Sequence, residues 1–187
     1  MVRPTESMER KDDAVTGVLF LSSINTWHND GGIKMEVANI GSYFPNKNNP
    51  DQMSFPVKFN ILTDMPKCRA RKIGDDGKVV KKYDEITDKE EAVIEIIKNP
   101  TEVTIFYKGK KDATSDELEC RNLSNLYPLL KFAFEQGGMD MSNFPDGFWF
   151  GRDELEEYLD GLTFIGKVEQ REMSGNKYFV LIPHDIE

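Results

Sequence analysis

FIGKVEQREMSGNKYFVLIP, residues 164–183, has the pattern of two β-strands joined by a tight turn. Branched and aromatic residues are frequent in both arms, and Ser-Gly-Asn at 174–176 separates them. Branched and aromatic side chains favour strands, while Gly and Asn accept the positive φ that a hairpin turn requires. The stretch therefore predicts a closing β-hairpin in a mainly β fold.

Two helices are predicted directly before this hairpin. NLSNLYPLLKFAFEQGG, residues 122–138, has an apolar stripe at helical spacing and ends at two glycines. RDELEEYLDG, residues 152–161, predicts a short acidic helix closed by Asp-Gly. The intervening MDMSNFPDGFWFG, residues 139–151, is interpreted as an aromatic loop.

The N-terminal third predicts three strands, at residues 14–27, 33–44 and 55–62. HNDGG at 28–32 predicts a tight turn, because Asn, Asp and Gly accept positive φ, so the first two strands are expected to form a hairpin. In the second strand Ile33, Met35 and Val37 alternate with polar residues, as in a half-buried strand.

The middle of the chain predicts a second hairpin, a helix and a strand. RARKIGDDGKVVKKY, residues 69–83, is expected to turn at its DDG. A capping-box pattern from Thr87 to Glu90 predicts a helix over 88–98 that stops before Pro100. TEVTIFYKG, residues 101–109, follows as a strand.

This order of elements predicts an α+β fold that is mainly β. Strands first, helices before a closing hairpin and an elaborated middle segment match an OB-like five-stranded barrel, an order that other small α+β folds share. Residues 1–12 are expected to form a flexible arm, and 13–187 a single OB-like domain in which 64–120 is an insertion.

Composition narrows the classes of partner and compartment. The chain carries a formal net charge of −9, yet residues 67–82 hold seven Lys or Arg against two Asp. A basic segment in an acidic chain is compatible either with polyanion binding at one place or with a solvated charged hairpin. Two cysteines, Cys68 and Cys120, imply no disulfide framework, so the cytoplasm is expected, and no apolar run is long enough to cross a membrane.

Enzyme signatures are absent from the sequence. No P-loop, GxGxxG or GxSxG pattern occurs, and the two histidines, His28 and His184, stand alone in a turn and near the end. We therefore expect no catalytic residues, no metal site and no cofactor. A metal-dependent nuclease built on Glu36 with Lys34, or on Glu102 with Lys108, is kept as an alternative.

Single-stranded nucleic acid binders combine a positive groove with aromatic side chains on which bases stack. In an OB barrel these residues lie on strands 2 and 3 and on the loops joining strands 1–2 and 4–5. The candidate binding residues are Trp27, Lys34, Tyr43, Phe44, Lys58, Arg69, Arg71, Lys72, Lys81, Lys82, Lys177 and Tyr178.

The C-terminal third resembles small phage-type single-stranded DNA-binding proteins. Their Leu-x-Gly-x-x-Phe-x-x-x-Val strand, glycine turn and Tyr-containing strand ending at proline are matched by Leu159, Gly161, Phe164, Val168, Gly175, Tyr178 and Pro183. The resemblance covers about the last 65 residues and, loosely, the first 60, whereas 64–120 departs from it. It implies an OB fold, sequence-tolerant single-strand binding and a role in replication or recombination, in a virus or phage.

Two classes of function follow. The leading hypothesis is binding of single-stranded DNA, or RNA, through stacking and phosphate neutralisation, with replication proteins as further partners. The second is a protein-interaction or structural module whose acidic helix at 152–160 meets a partner. An exposed strand edge favours a homodimer in either case.

Overall fold

The computed structural model describes residues 31–46, 49–63, 68–71, 80–97 and 100–186, with the backbone alone for 68–71, 92, 94–97, 173 and 176. The predicted arm at 1–12 and the predicted strand at 14–27 lie outside these residues.

The described elements are twelve strands, two α-helices and one 3-10 turn at Met141–Asn143. Eight of the strands form a main sheet, and the other four form two separate two-stranded sheets. In chain order the strands are β1 (Ile33–Ile40), β2 (Phe44–Asn46), β3 (Asn49–Ile61), β4 (Cys68–Arg71), β5 (Lys81–Asp84), β6 (Lys89–Ala92), β7 (Ile94–Ile97), β8 (Glu102–Lys111), β9 (Leu118–Arg121), β10 (Gly147–Phe150), β11 (Thr163–Met173) and β12 (Asn176–His184). The helices are α1 (Tyr127–Gln136) and α2 (Arg152–Leu159).

The main sheet runs in the order β10-β9-β8-β3-β1-β11-β12, with β2 paired to β3. The pairings of this sheet within the described residues are antiparallel. They form an open path that ends at β10 and β12 rather than a closed barrel. The fold is therefore α+β and mainly β, as predicted.

Both helices cover one face of this sheet. Leu129, Leu130 and Leu155 join the buried core with the inward residues of the strands. Phe164 lies at its centre, with its ring edge-on to Phe59 at 5.9 Å and to Phe132 at 6.2 Å between centroids. Edge-to-face contacts add to the apolar burial that holds the helices on the sheet.

Several predicted elements are confirmed. The closing hairpin is β11–β12, with Gly175 at φ 82° in its turn, and the helices predicted near 122–138 and 152–161 are α1 and α2. The strand predicted at 33–44 contains β1, and the strands predicted at 55–62 and 101–109 overlap β3 and β8. The expected partner of β1, at 14–27, lies outside the described residues, and β1 pairs with β3 and β11.

Two predictions in the middle of the chain are wrong. The helix at 88–98 is absent; the segment instead forms β6 and β7. Thr87 lies in the turn that joins β5 to β6, where Asp88 has φ 56°. The Thr87–Glu90 pattern therefore belongs to a turn and not to the start of a helix. The branched residues that follow favour an extended backbone. The expected hairpin arms at 69–83 pair elsewhere, because β4 pairs with β7 and β5 with β6.

The segment interpreted as an aromatic loop, 139–151, contains a strand. β10 pairs with β9, and Phe148 and Phe150 point into the core while Trp149 points away from it. The alternation in Phe-Trp-Phe is the period-two pattern of a half-buried strand. A four-residue strand at the end of a sheet leaves too short a pattern to stand out from a loop.

Candidate functional site

The face of the main sheet opposite α1 and α2, called here the outer face, carries the candidate site. Along β8, Val103, Ile105 and Tyr107 are buried in the core that the helix residues also join. The alternate residues Phe106, Lys108 and Lys110 are exposed on the outer face. Because side chains alternate along a strand, one aromatic ring and two ammonium groups follow each other on the same surface.

Strand pairing places a second aromatic ring beside Phe106. The rings of Phe44 and Phe106 meet edge-on, with centroids 6.3 Å apart. Phe44 of β2 is directly opposite Ser54 of β3, and Ser54 is opposite Lys108. The aromatic pair and the lysine therefore belong to one continuous surface across three strands.

A third aromatic side chain lies on the other side of β8. Lys110 is opposite Glu119 of β9, and Glu119 is opposite Trp149 of β10. Directly opposed residues of antiparallel strands have Cβ atoms about 4.5–5.5 Å apart, so these three side chains form one row. Trp149 is 45% exposed, which is high for an indole.

These side chains define the outer patch. Its members are Phe44, Phe106, Lys108, Lys110, Glu119, Arg121 and Trp149.

The outer patch is electropositive, although the chain as a whole is acidic. It holds three cations against one carboxylate, Glu119, whose Oε1 is 3.0 Å from Nε of Arg121. Within the described residues neither Lys108 nor Lys110 takes part in an ion pair. Glu119 is directly opposite Lys110 but forms its ion pair with Arg121, so both ammonium groups remain unpaired there, in a chain with a net charge of −9.

Other predicted site residues also lie on the outer face, but away from the outer patch. Lys58 is opposite Thr104 and forms an ion pair with Glu102, 3.5 Å from Nζ to Oε1. Lys34 lies on β1, opposite Ile165. Tyr178 is on β12, opposite Arg171, four strand positions from β8 in the sheet order. The structure brings Phe44 into the outer patch but leaves these three outside it.

Tyr43 and Lys177 are on the side of the core. The Tyr43 ring packs against Phe55 at 5.4 Å, and the Arg152 guanidinium lies 5.4 Å from its centroid. Burial raises the pKa of Tyr43 to about 12. Lys177, one residue before Tyr178 on β12, points to the opposite face by alternation. Neither side chain is available to a ligand on the outer face.

Strand pairing offsets part of the positive charge of the basic segment at 67–82. Lys82 of β5 is directly opposite Glu91 of β6, and Lys81 is opposite Ala92, with Glu90 two positions from Ala92 on the same face. Sequence counting assigned the two lysines to a positive segment, but folding brings acidic residues beside them.

Four predicted site residues remain: for two of them the structure describes only the backbone, and the other two lie outside the described residues. Arg69 and Arg71 are in β4, where their backbones pair with those of Ile96 and Ile94. Trp27 and Lys72 lie outside the described residues.

Sequence reasoning missed Phe106, Lys110 and Trp149 as binding candidates, and it considered Lys108 only for the nuclease alternative. The signal was present in β8, where Phe, Lys and Lys occupy every second position of TIFYKGK, and in the Phe-Trp-Phe of β10. What the sequence did not show is that β9 joins these two strands and brings their outward residues into one row.

The acidic helix α2 uses two of its carboxylates within the fold. Glu154 accepts a hydrogen bond from the Gly151 backbone N–H at 2.9 Å, which satisfies one of the free donors at the start of the helix. Glu156 pairs with Arg152 at 3.1 Å. Asp153 and Glu157 remain as exposed carboxylates.

The residues considered for a nuclease have other contacts. Glu36 accepts a hydrogen bond from the Asn60 amide at 3.3 Å, and Glu102 pairs with Lys58. Among the described residues no group of three or more His, Cys, Asp or Glu side chains is placed to hold a metal ion. No helix in the described part of the chain has both the length and the apolar character needed to cross a membrane.

Comparison with protein-family models, with curated proteins and with solved structures gives no match to this chain. Inference of its function therefore rests on its own side chains.

Proposed function

We propose that this protein binds single-stranded nucleic acid, DNA first and RNA by the same chemistry, across the outer patch. The observation that supports it is the row of exposed Phe106, Lys108 and Lys110 on β8, with Trp149 two strands away. Exposed rings interleaved with lysines that form no ion pair among the described residues are the combination that single-strand binders use. No catalytic step is part of the proposal.

The rings and the ammonium groups have separate tasks. Stacking of a base on an aromatic side chain is worth about 1–3 kcal/mol, and it tolerates any sequence because every base has a flat face. Lys108 and Lys110 attract phosphates, and each phosphate contact releases bound counterions. Binding is therefore broad in sequence and steeply weakened by salt.

A single strand fits this surface better than a duplex. The outer patch lies on a sheet face, with Phe44, Phe106 and Trp149 at its surface. In a duplex the base faces are stacked on each other and closed to these rings, whereas a single strand presents them. The described strands offer the platform that stacking requires.

The OB-type relationship belongs to the same proposal. We propose that the chain is OB-like, with 64–120 as an elaborated insertion; the support is the order of strands β1 and β3, then two helices, then the closing hairpin β11–β12. A role in replication or recombination within the cytoplasm, beside other replication proteins, is the biological setting we propose.

The proposal is tested by fluorescence anisotropy of a labelled 12-nucleotide single strand, titrated with protein at 50, 100 and 200 mM salt. The test variant is Lys108→Ala with Lys110→Ala. The control is Lys89→Ala with Lys131→Ala, which removes the same charge from the β5–β6 hairpin and from α1. We expect the test variant to lose at least tenfold in affinity at 50 mM salt and to reduce the logarithmic salt slope by about 1.4, two lysines at 0.7 each.

The affinity of the control variant, Lys89→Ala with Lys131→Ala, is expected to stay within about threefold of that of the unaltered protein. Trp149→Ala is expected to weaken binding by about 1–3 kcal/mol with little change in the salt slope, since it removes a stacking platform and no charge. Absence of any salt-sensitive binding, or equal losses in the test and control pairs, overturns the proposal.

A further inference from the structure

A carboxylate stands between the lysine and the indole of the outer patch. Register places Glu119 directly opposite both Lys110 on one side and Trp149 on the other. A surface selected purely for attraction of phosphate has no use for a negative charge at this position. The inference that follows rests on the proposed function and concerns the base bound beside Trp149.

The Glu119 side chain is partly buried and has an ion-pair partner on its own strand. Its Oε1 accepts a hydrogen bond from Nε of Arg121 at 3.0 Å, and the side chain is 21% exposed compared with 72% for Arg121. Within the described residues Oε2 of Glu119 has no hydrogen-bond donor. Arg121 therefore engages one carboxylate oxygen, and the other remains able to accept a hydrogen bond from a ligand.

Charge decides which part of a nucleotide can approach this oxygen. A phosphate is repelled by the carboxylate and attracted by Lys108 and Lys110, so the sugar-phosphate chain is expected to follow β8. A base stacked on Trp149 then points an edge towards Glu119, because opposed side chains on neighbouring strands are about 4.5–5.5 Å apart at Cβ. The row thus separates a phosphate position from a base position.

The four bases differ in what they offer to a carboxylate. Cytosine and adenine carry an exocyclic amino group, and guanine carries one beside a ring N–H; glutamate accepts hydrogen bonds from the cytosine N4 amine. Thymine and uracil have a single ring donor between two carbonyl oxygens, which a carboxylate repels. We propose that Glu119 makes the Trp149 position prefer a base with an exocyclic amino group over thymine or uracil.

The test compares two pyrimidine strands, (dC)12 and (dT)12, in competition against a labelled mixed-sequence 12-mer at pH 8 and 100 mM salt. For the unaltered protein we expect (dC)12 to compete at least about fivefold better than (dT)12, the lower end of the discrimination that one such contact provides. In Glu119→Gln the preference is expected to disappear, since an amide both donates and accepts and therefore serves either base.

The matched control is Glu102→Gln, which removes the same charge from the outer face. Glu102 and Lys110 are eight residues apart on β8, about 26 Å at 3.3 Å per residue, so Glu102 lies far from Trp149. We expect this variant to keep the preference for (dC)12. Loss of preference in both variants would make it an effect of overall charge and overturn the inference.

The outcomes separate the two proposals. If no strand binds, the proposed function fails. If both homopolymers bind the unaltered protein equally, or if Glu119→Gln retains the preference, single-strand binding stands and the assignment of Glu119 is wrong. The urea midpoints of unfolding of Glu119→Gln and of the unaltered protein are expected to agree closely, because the lost ion pair is at the surface.

Discussion

Arg152 is expected to be the side chain that fixes α2 to the end of β1. Its guanidinium donates to the carbonyl oxygen of Gly41 at 2.6 Å and to that of Ile40 at 2.7 Å. The same group lies over the Tyr43 ring at 5.4 Å. These contacts join positions more than 100 residues apart in the sequence, so their loss frees the helix from the strand.

The expected cost of Arg152→Ala follows from these contacts. Hydrogen bonds that involve a charged group contribute about 1.5–3 kcal/mol each, and the cation–π contact adds about 0.5–1 kcal/mol. The side chain is partly exposed and the contacts share one group, so the low end applies and we expect a loss of about 3 kcal/mol. In a chain of this size that corresponds to a fall in Tm of about 6–12 °C. Arg152→Lys keeps the positive charge, so we expect it to recover part of the lost stability. The recovery is incomplete because an ammonium lacks the planar fork that reaches both carbonyls.

Urea unfolding followed by circular dichroism measures these free energies. Arg121→Ala is the control, since Arg121 pairs with Glu119 at the surface and its loss is expected to cost less than about 1 kcal/mol. A loss in Arg152→Ala no larger than in Arg121→Ala would refute the assignment of Arg152 as the link between α2 and β1.

Two further changes test the packing of the sheet. Tyr107→Phe removes a buried hydroxyl that has no hydrogen-bond partner among the described residues, so we expect the variant to be more stable by about 1 kcal/mol at pH 8 in urea unfolding. Burial also raises the pKa of Tyr107 above its usual value of 10. The unfolded chain then loses this phenolic proton first as pH rises, so stability falls above about pH 10, by at most about 1.4 kcal/mol per pH unit for this group. The advantage of Tyr107→Phe should accordingly be larger at pH 11 than at pH 9, and an unchanged or smaller advantage would contradict the reasoning. Gly147→Ala places a Cβ 2.3 Å from the Cys120 carbonyl oxygen at φ 129°, and we expect it to cost about 2–4 kcal/mol. Gly175→Ala, at φ 82° with no atom within 4 Å of the added Cβ, is the control for backbone strain alone, at about 1–2 kcal/mol; equal losses in the two variants would exclude the steric explanation.

Local sequence patterns predicted the elements that bury one continuous face. The closing hairpin around Gly175 and the helix ending at Gly137 have strong periodicity and a definite stop, so β11, β12 and α1 were found. The segment from 88 to 98 was misread because its apolar residues suit either one helical face or an extended chain. The choice between them depends on partners: β6 and β7 pair with β5 and β4.

For the candidate site, too, local sequence patterns predicted one part and the tertiary structure decided the rest. The sequence by itself determined that aromatic and cationic residues occur in strands, and that the chain is acidic overall. Which of them share a surface was decided by the tertiary structure, since it brings Glu91 opposite Lys82 and sets Lys110, Glu119 and Trp149 in one row. Alternation along a strand can be read locally, but strand order and register depend on burial of the whole sheet, and they determine which charges and rings become neighbours.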